Sequence, residues 1–275
     1  MYIYAKFRTI QCIKSFDFNS TSAITIKSSD DNITFSTSII ELADGGDLTI
    51  DGNDTGDVSV YGIVPTSLEI VTLKSSASGG AGNVTVGAGG LGTSSLPLGD
   101  TTLTGKVVTL LGDINAGGSG TTTTAAIYRG DVDINTTSLV LDGDVHITTD
   151  VATGTGTHAT NNDGTITISL AAGGVTKINA ANTDSNTEAL TILSGSGAIT
   201  LNSTIGVTNA LDSLDINSTG SAAAAITVDQ IGTYGGDDTA NTAAAGVSGT
   251  TNIGNASTTS VSLNDAQFNF GGTTN

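Results

Sequence analysis

Five carboxylates and an amide fall within fourteen residues: Asp44, Asp47, Asp51, Asn53, Asp54 and Asp57, spread through the runs Asp44-Gly45-Gly46-Asp47, Asp51-Gly52-Asn53-Asp54 and Gly56-Asp57. Hard oxygen ligands on flexible turns suit Ca²⁺, which takes six to eight of them in loose geometry. The same residues also favour turns for a local reason, because Asp and Asn side chains bond to their own backbone. The spacing matches neither an EF-hand loop nor the Gly-Gly-x-Gly-x-Asp nonapeptide. Two readings therefore stand side by side, a Ca²⁺ site that ties a corner of the fold and a set of solvated turn carboxylates. Asp142-Gly143-Asp144 and Gly236-Asp237-Asp238 are thinner examples of the same pattern.

Other chemistry is sparse. His146 lies between Val145 and Ile147, in the outward phase of a strand, and His158 sits in a Gly/Thr loop; neither has metal-ligand spacing. No Gly-x-Ser-x-Gly elbow occurs, and the glycine-rich stretches lack the Lys-Ser/Thr of a phosphate loop. A polysaccharide-active β-helix enzyme would need clustered carboxylates or an Arg/Lys base on one long face. The only arginines are Arg8 and Arg129, and the carboxylates are mostly corner Asp rather than a strand-face pair, so the chain reads as a non-enzyme.

The elements that would carry these residues come from one recurring pattern: an aliphatic residue, a Thr, Asp or Ser, and a second aliphatic, followed closely by Gly, Asn or Asp. It is seen at Leu48-Thr49-Ile50, Val58-Ser59-Val60, Val84-Thr85-Val86, Val132-Asp133-Ile134, Ile166-Thr167-Ile168, Ile199-Thr200-Leu201 and Ile226-Thr227-Val228. A period of two between turn formers predicts short strands with one buried face. The expected core is made of Ile, Leu, Val and Ala, because the chain has no Trp, 6 Phe and 5 Tyr among 275 residues. Such a filling suits a narrow interior.

An internal repeat sharpens this expectation. Ala189-Leu190-Thr191-Ile192 and Ala198-Ile199-Thr200-Leu201 are followed by Ser213-Leu214-Asp215-Ile216 and Ala225-Ile226-Thr227-Val228, with Leu190 and Leu214 24 residues apart and Ile168 and Ile192 again 24 apart. Recurrence at about 20–30 residues predicts the coils of a solenoid. The expected fold is all-β, a parallel β-helix (β-solenoid), with a β-sandwich as the alternative. In the β-helix, Leu190, Ile192, Ile199, Leu201, Leu214, Ile216, Ile226 and Val228 all face inward. Residues 1–20 are expected to form an atypical N-terminal cap or docking arm on a repetitive body at 21–275, with loop insertions near 117–124, 152–164 and 235–247. A cap is needed because an open terminal coil exposes strand edges and core.

The units Ala189-Leu190-Thr191-Ile192, Gly195-Ser196-Gly197-Ala198-Ile199-Thr200-Leu201 and Leu214-Asp215-Ile216-Asn217-Ser218 resemble repeats of bacterial surface proteins of the filamentous-haemagglutinin and autotransporter-passenger type. The resemblance covers roughly residues 20–232 and implies a secreted β-helix acting in adhesion, biofilm or a surface layer. The translocation domain and N-terminal secretion region of those families are not seen.

Charge narrows the partners. With 8 Lys plus Arg against 26 Asp plus Glu, the formal net charge is −18. That balance repels phosphate backbones and anionic membrane surfaces, so no nucleic acid is expected. No transmembrane segment is expected either, since no stretch approaches 18 apolar residues. The start Met1–Ile10 is not a convincing signal peptide, because Lys6, Arg8 and Lys14 break its apolar character. Export then follows another route, or the chain is a segment of something longer. Cys12 is alone and can form no disulfide within the chain.

The expected role is an extracellular or cell-surface structural protein, a self-assembling filament, sheath or surface-layer subunit. The alternative is an adhesin or stalk module that binds a cell surface or glycan. The expected partners are copies of the chain itself, joined by end-strand donation. Tyr2, Tyr4, Phe7, Phe16 and Phe18 are the expected contact residues at one end, and Val261, Leu263, Phe268 and Phe270 at the other.

Overall fold

A computed structural model describes residues 2–4, 15–75, 81–117, 130–150, 163–170, 176–181, 188–219, 224–232, 246–265, 268–271 and 273–274. Twenty strands occur among them, and no helix. The first are β1 (Tyr2–Tyr4), β2 (Ser15–Asn19), β3 (Ile24–Lys27), β4 (Ile33–Ala43), β5 (Leu48–Asp51), β6 (Val58–Pro65) and β7 (Val71–Lys74). Then come β8 (Val84–Leu91), β9 (Thr101–Leu110), β10 (Ile114–Asn115), β11 (Val132–Leu141), β12 (Val145–Thr148) and β13 (Ile166–Ser169). The last are β14 (Thr176–Ala180), β15 (Ala189–Leu193), β16 (Ile199–Ile205), β17 (Ser213–Ile216), β18 (Ala225–Ile231), β19 (Thr251–Ile253) and β20 (Ser260–Leu263).

The fold is all-β, with its twenty strands joined in one extensive sheet. Every pairing between these strands is parallel, and partners are far apart in sequence, from 23 residues between Leu48 and Val71 to 45 between Val145 and Leu190. Parallel neighbours need a long connection between them, and here the other strands supply it. Pairing resolves into three columns. The first runs from β1 through β3, β5, β7 and the starts of β9 and β11 to β13, the starts of β16 and β18, and β20. The second follows the starts of β4, β6 and β8 into the ends of β9 and β11, then β14 and the ends of β16 and β18. The third links β2 and the ends of β4, β6 and β8 to β10, β12, β15, β17 and β19.

Register places like on like. Ile24 pairs with Leu48, Leu48 with Val71, Val132 with Ile166, Ile166 with Ile199 and Ile199 with Ile226. All eight residues expected to face inward are fully buried. Burying each such side chain stabilises by roughly 1.5–3 kcal/mol. The 24-residue spacing of Leu190 and Leu214 is a true pairing. That of Ile168 and Ile192 is not: Ile168 pairs with Leu201 and Ile192 with Ile216, in different columns.

Two strands run longer than their apolar pattern. Strand β8 continues through Gly87–Gly90, and β9 begins at Thr101, whose side chain is buried in an inward position. The N-terminal segment joins the same ladder, Tyr2 pairing with Thr25 and Phe16 with Ile40. Most of the three expected insertions, residues 118–124, 152–162 and 235–245, lies outside the described residues. Strands on either side of each still pair in register: Ile114 with Ile147, Val132 with Ile166 and Ile216 with Ile253.

Candidate functional site

Several of the acidic corner residues bond to the neighbouring circuit. Asp47 accepts the backbone N–H of Ile70 at 2.9 Å. Asp57 accepts both the N–H and the side-chain amide of Asn83, at 2.8 and 3.1 Å, while its own N–H donates to Asn32 at 2.9 Å. Asp44 is exposed with φ 64°, and Asn53, with φ 61°, donates its side-chain amide to Asp30 at 2.8 Å. Asp54 is exposed and donates its N–H to the same Asp30 oxygen at 3.1 Å. These bonds hold the Asp30 carboxyl below the ordinary range, the Asn53 amide first among them.

Asp51 is the buried member of the group, 6% exposed. Burial opposes its ionisation. The Asn53 N–H at 2.8 Å and the ammonium groups of Lys27 and Lys74, at 3.1 and 3.3 Å, outweigh that and leave the carboxyl below its usual value. Lys27, Asp51 and Lys74 occupy one register position in three successive strands of the first column. Of the six residues proposed from sequence as calcium ligands, the side chains of Asp47, Asp51, Asn53 and Asp57 thus have partners within the fold. Among the described residues no three His, Cys, Asp or Glu side chains are grouped as a metal ion would need.

Corner carboxylates elsewhere do the same work. Asp100 accepts the N–H of Asp131, Asp131 that of Thr165, Asp113 that of His146, and Asp144 that of Ala189, at 2.7–3.0 Å. Asp163 accepts both the N–H and the hydroxyl of Ser196, each at 2.8 Å. Where the chain turns between columns, strand-start N–H groups need acceptors, and a carboxylate from the preceding circuit makes a strong, charge-assisted one. Much of the acidity is structural in this sense.

Sequence reasoning missed Glu69, 1% exposed, which accepts from Gly45 N–H, Thr66 hydroxyl and Ser67 N–H at 3.3, 3.2 and 2.9 Å. No motif marks it. The spacing of Lys27, Asp51 and Lys74 would have revealed their contact once the strand register was known.

Asp133 stands at a first-column position that is an outward Thr in the strands on either side, Thr102 and Thr167. Partial burial raises its pKa, the nearby charges of Asp131 and Asp100 add to this, and a bond with Thr167 opposes it. The folded protein therefore holds this proton more tightly than the unfolded chain, and stability falls as pH rises from the ordinary carboxylate range through the raised value. Asp133→Asn removes that penalty. We expect a higher melting temperature at pH 7, a gain on the order of 0.5 kcal/mol after screening by solvent, and no gain at pH 3. A gain equal at both pH values would show that the charge is not its cause.

The residues expected at subunit contacts fall into three groups. Phe18 is in the core, and Phe16 is half-buried, with its ring 4.9 Å from that of Phe18 and 5.5 Å from that of Phe35. Tyr2 and Tyr4 lie in β1, and Phe7 is outside the described residues, as are Cys12 and His158. At the other end, Phe268 and Phe270 are half-buried and stacked at 6.5 Å. Val261 and Leu263 are 44% and 47% exposed.

That last exposure is a break in the pattern. Val261 pairs with Ile226 and Leu263 with Val228, both fully buried. All four residues of β20 are exposed because no further strand covers it among the described residues. A separate outer groove of about 670 Å³ is lined by Thr137, Ser138, Lys177, Asn179 and Asn209 among others. No helix among the described residues is long and apolar enough to cross a membrane. Comparison of the chain with family models, with curated proteins and with solved structures gives no match.

Proposed function

We propose that this chain is a parallel β-helix and a self-assembling structural subunit of a filament, sheath or surface layer outside the cell. Parallel register from β1 to β20 supports the β-helix over the sandwich, whose sheets are built from antiparallel neighbours. The observation that carries the assembly reading is the apolar, uncovered last strand: positions buried in every earlier circuit from β5 onward are nearly half exposed at Val261 and Leu263. Large apolar side chains left at a strand edge are a template for another chain. Corners held by carboxylates leave the outer surface acidic, which suits solubility of a rod in salt.

Negative-stain microscopy and sedimentation of the purified 275-residue chain test this. Rods that lengthen with concentration are the expected result. Monomers at every concentration would leave the second reading, an adhesin or stalk module, for which the outer groove offers Lys177, Asn179 and Asn209 as hydrogen-bonding groups toward a glycan.

A further inference from the structure

We propose that the joint is polar and in register: the free edge of β20 in one copy receives the free edge of β1 in a second copy. This rests on the assembly reading above and names its contact. Both strands belong to the first column, at opposite ends. Strand β1 pairs with β3, Tyr2 to Thr25 and Ile3 to Ile26, and β20 pairs with β18, Ser262 to Thr227 and Leu263 to Val228. Among the described residues, neither has a partner on its other edge. Setting β1 on β20 continues the column by the same step, with Tyr2 opposite Ser262 and Ile3 opposite Leu263.

Three observations favour this over a symmetric contact. A two-fold axis would set β20 antiparallel to its own copy and abandon the parallel ladder, whereas a repeated head-to-tail step keeps it and never closes. Ser260-Val261-Ser262-Leu263 contains no charge and no proline, the usual devices that keep a strand edge from pairing. The ends also differ in charge. Residues 1–14 hold Lys6, Arg8 and Lys14 and no carboxylate, whereas residues 246–275 hold Asp265 and no Lys or Arg. Unlike ends attract, and two C-terminal ends repel.

Two blocked variants test the joint. Val261→Lys with Leu263→Lys blocks one end, and Ile3→Lys blocks the other; a folded domain fused ahead of Met1 is a second way to block the latter. Melting temperature and circular dichroism matching the unassembled wild-type chain establish that each folds. Each variant alone should be monomeric by sedimentation velocity, and an equimolar mixture should give dimers and nothing longer, since it offers one competent joint. Dimers of Ile3→Lys or of the fused chain alone would replace the polar joint with a symmetric one. A mixture that stays monomeric, or variants that still form wild-type rods, would overturn the proposed pairing while leaving assembly standing. A wild-type chain that is monomeric throughout would remove both.

Discussion

Ile216→Asp should unfold the C-terminal part of this protein or leave it insoluble, at a cost on the order of 4 kcal/mol or more. Ile216 is fully buried and lies in register between Ile192 and Ile253. The introduced carboxylate would have apolar neighbours above and below. Beside it, the Asn217 side chain is already committed, accepting from Ser194 N–H at 3.2 Å and donating to the Gly195 carbonyl at 3.0 Å. Burial would raise the pKa of the new group, so the penalty should shrink as pH falls and the group becomes neutral. Ile216→Val keeps the chemistry and should cost only about 1 kcal/mol. Thermal unfolding of both variants at pH 7 and pH 4 decides it. An unchanged melting temperature for Ile216→Asp would mean that this column does not face a core.

The reason this position could be read from sequence is that the inward residues of β15, β17 and the starts of β16 and β18 are large aliphatics at a period of two. Leu190, Leu214, Ile226 and Val228 are visible as a pattern and are buried as expected. Strand β14, Thr-Lys-Ile-Asn-Ala, is not visible in this way. It has one large aliphatic, and its place comes from pairing with β11 and β16 rather than from its own composition. The run Leu68–Leu73 looks like one strand, yet only Val71–Lys74 pairs as β7, because Glu69 turns inward to bond three donors at the preceding corner. Local pattern reports which face is buried, while pairing between strands 23 to 45 residues apart is a non-local property.

The acidic corners illustrate the same limit. Asp at a turn is expected for local reasons, but its partner is in the neighbouring circuit: Asp57 bonds to Asn83, and Asp131 to Thr165. The separation differs from one circuit to the next, so no fixed motif can encode it. Within the cluster that looks in sequence like a ligand set, Asp47, Asp51 and Asp57 each accept a backbone N–H, Asp47 and Asp57 from the neighbouring circuit. The open end was legible only in part. Alternation marks Val261-Ser262-Leu263 as a strand, but its exposure emerges only when its register with β18 is known.

Glycine content has a similar hidden cause, and Gly164→Ala should expose it. Gly130, Gly164 and Gly197 each precede a first-column strand, and they stack. A Cβ on Gly164 would overlap the carbonyl oxygen of Gly130 and stand 2.6 Å from its carbon, and one on Gly197 would overlap the carbonyl oxygen of Gly164. The obstacle is backbone of the preceding circuit, the Gly130 carbonyl and the Asp131 nitrogen, and the Gly164 carbonyl is itself fixed by the Thr149 hydroxyl at 2.7 Å. Relief would require adjacent circuits to separate, so we expect Gly164→Ala to cost about 3 kcal/mol, as overpacking does. Gly45 provides the contrast, for it has φ 80° and nothing within 4 Å of a built Cβ. Gly45→Ala should cost about 1–2 kcal/mol from backbone conformation alone, and Gly45→Asn should recover part of that, because Asn tolerates the left-handed region. Gly164→Asn should recover nothing, since its problem is space. Urea unfolding of the four variants ranks them. If Gly164→Ala proves milder than Gly45→Ala, then the circuits do not approach as closely at this corner as the stacked glycines require.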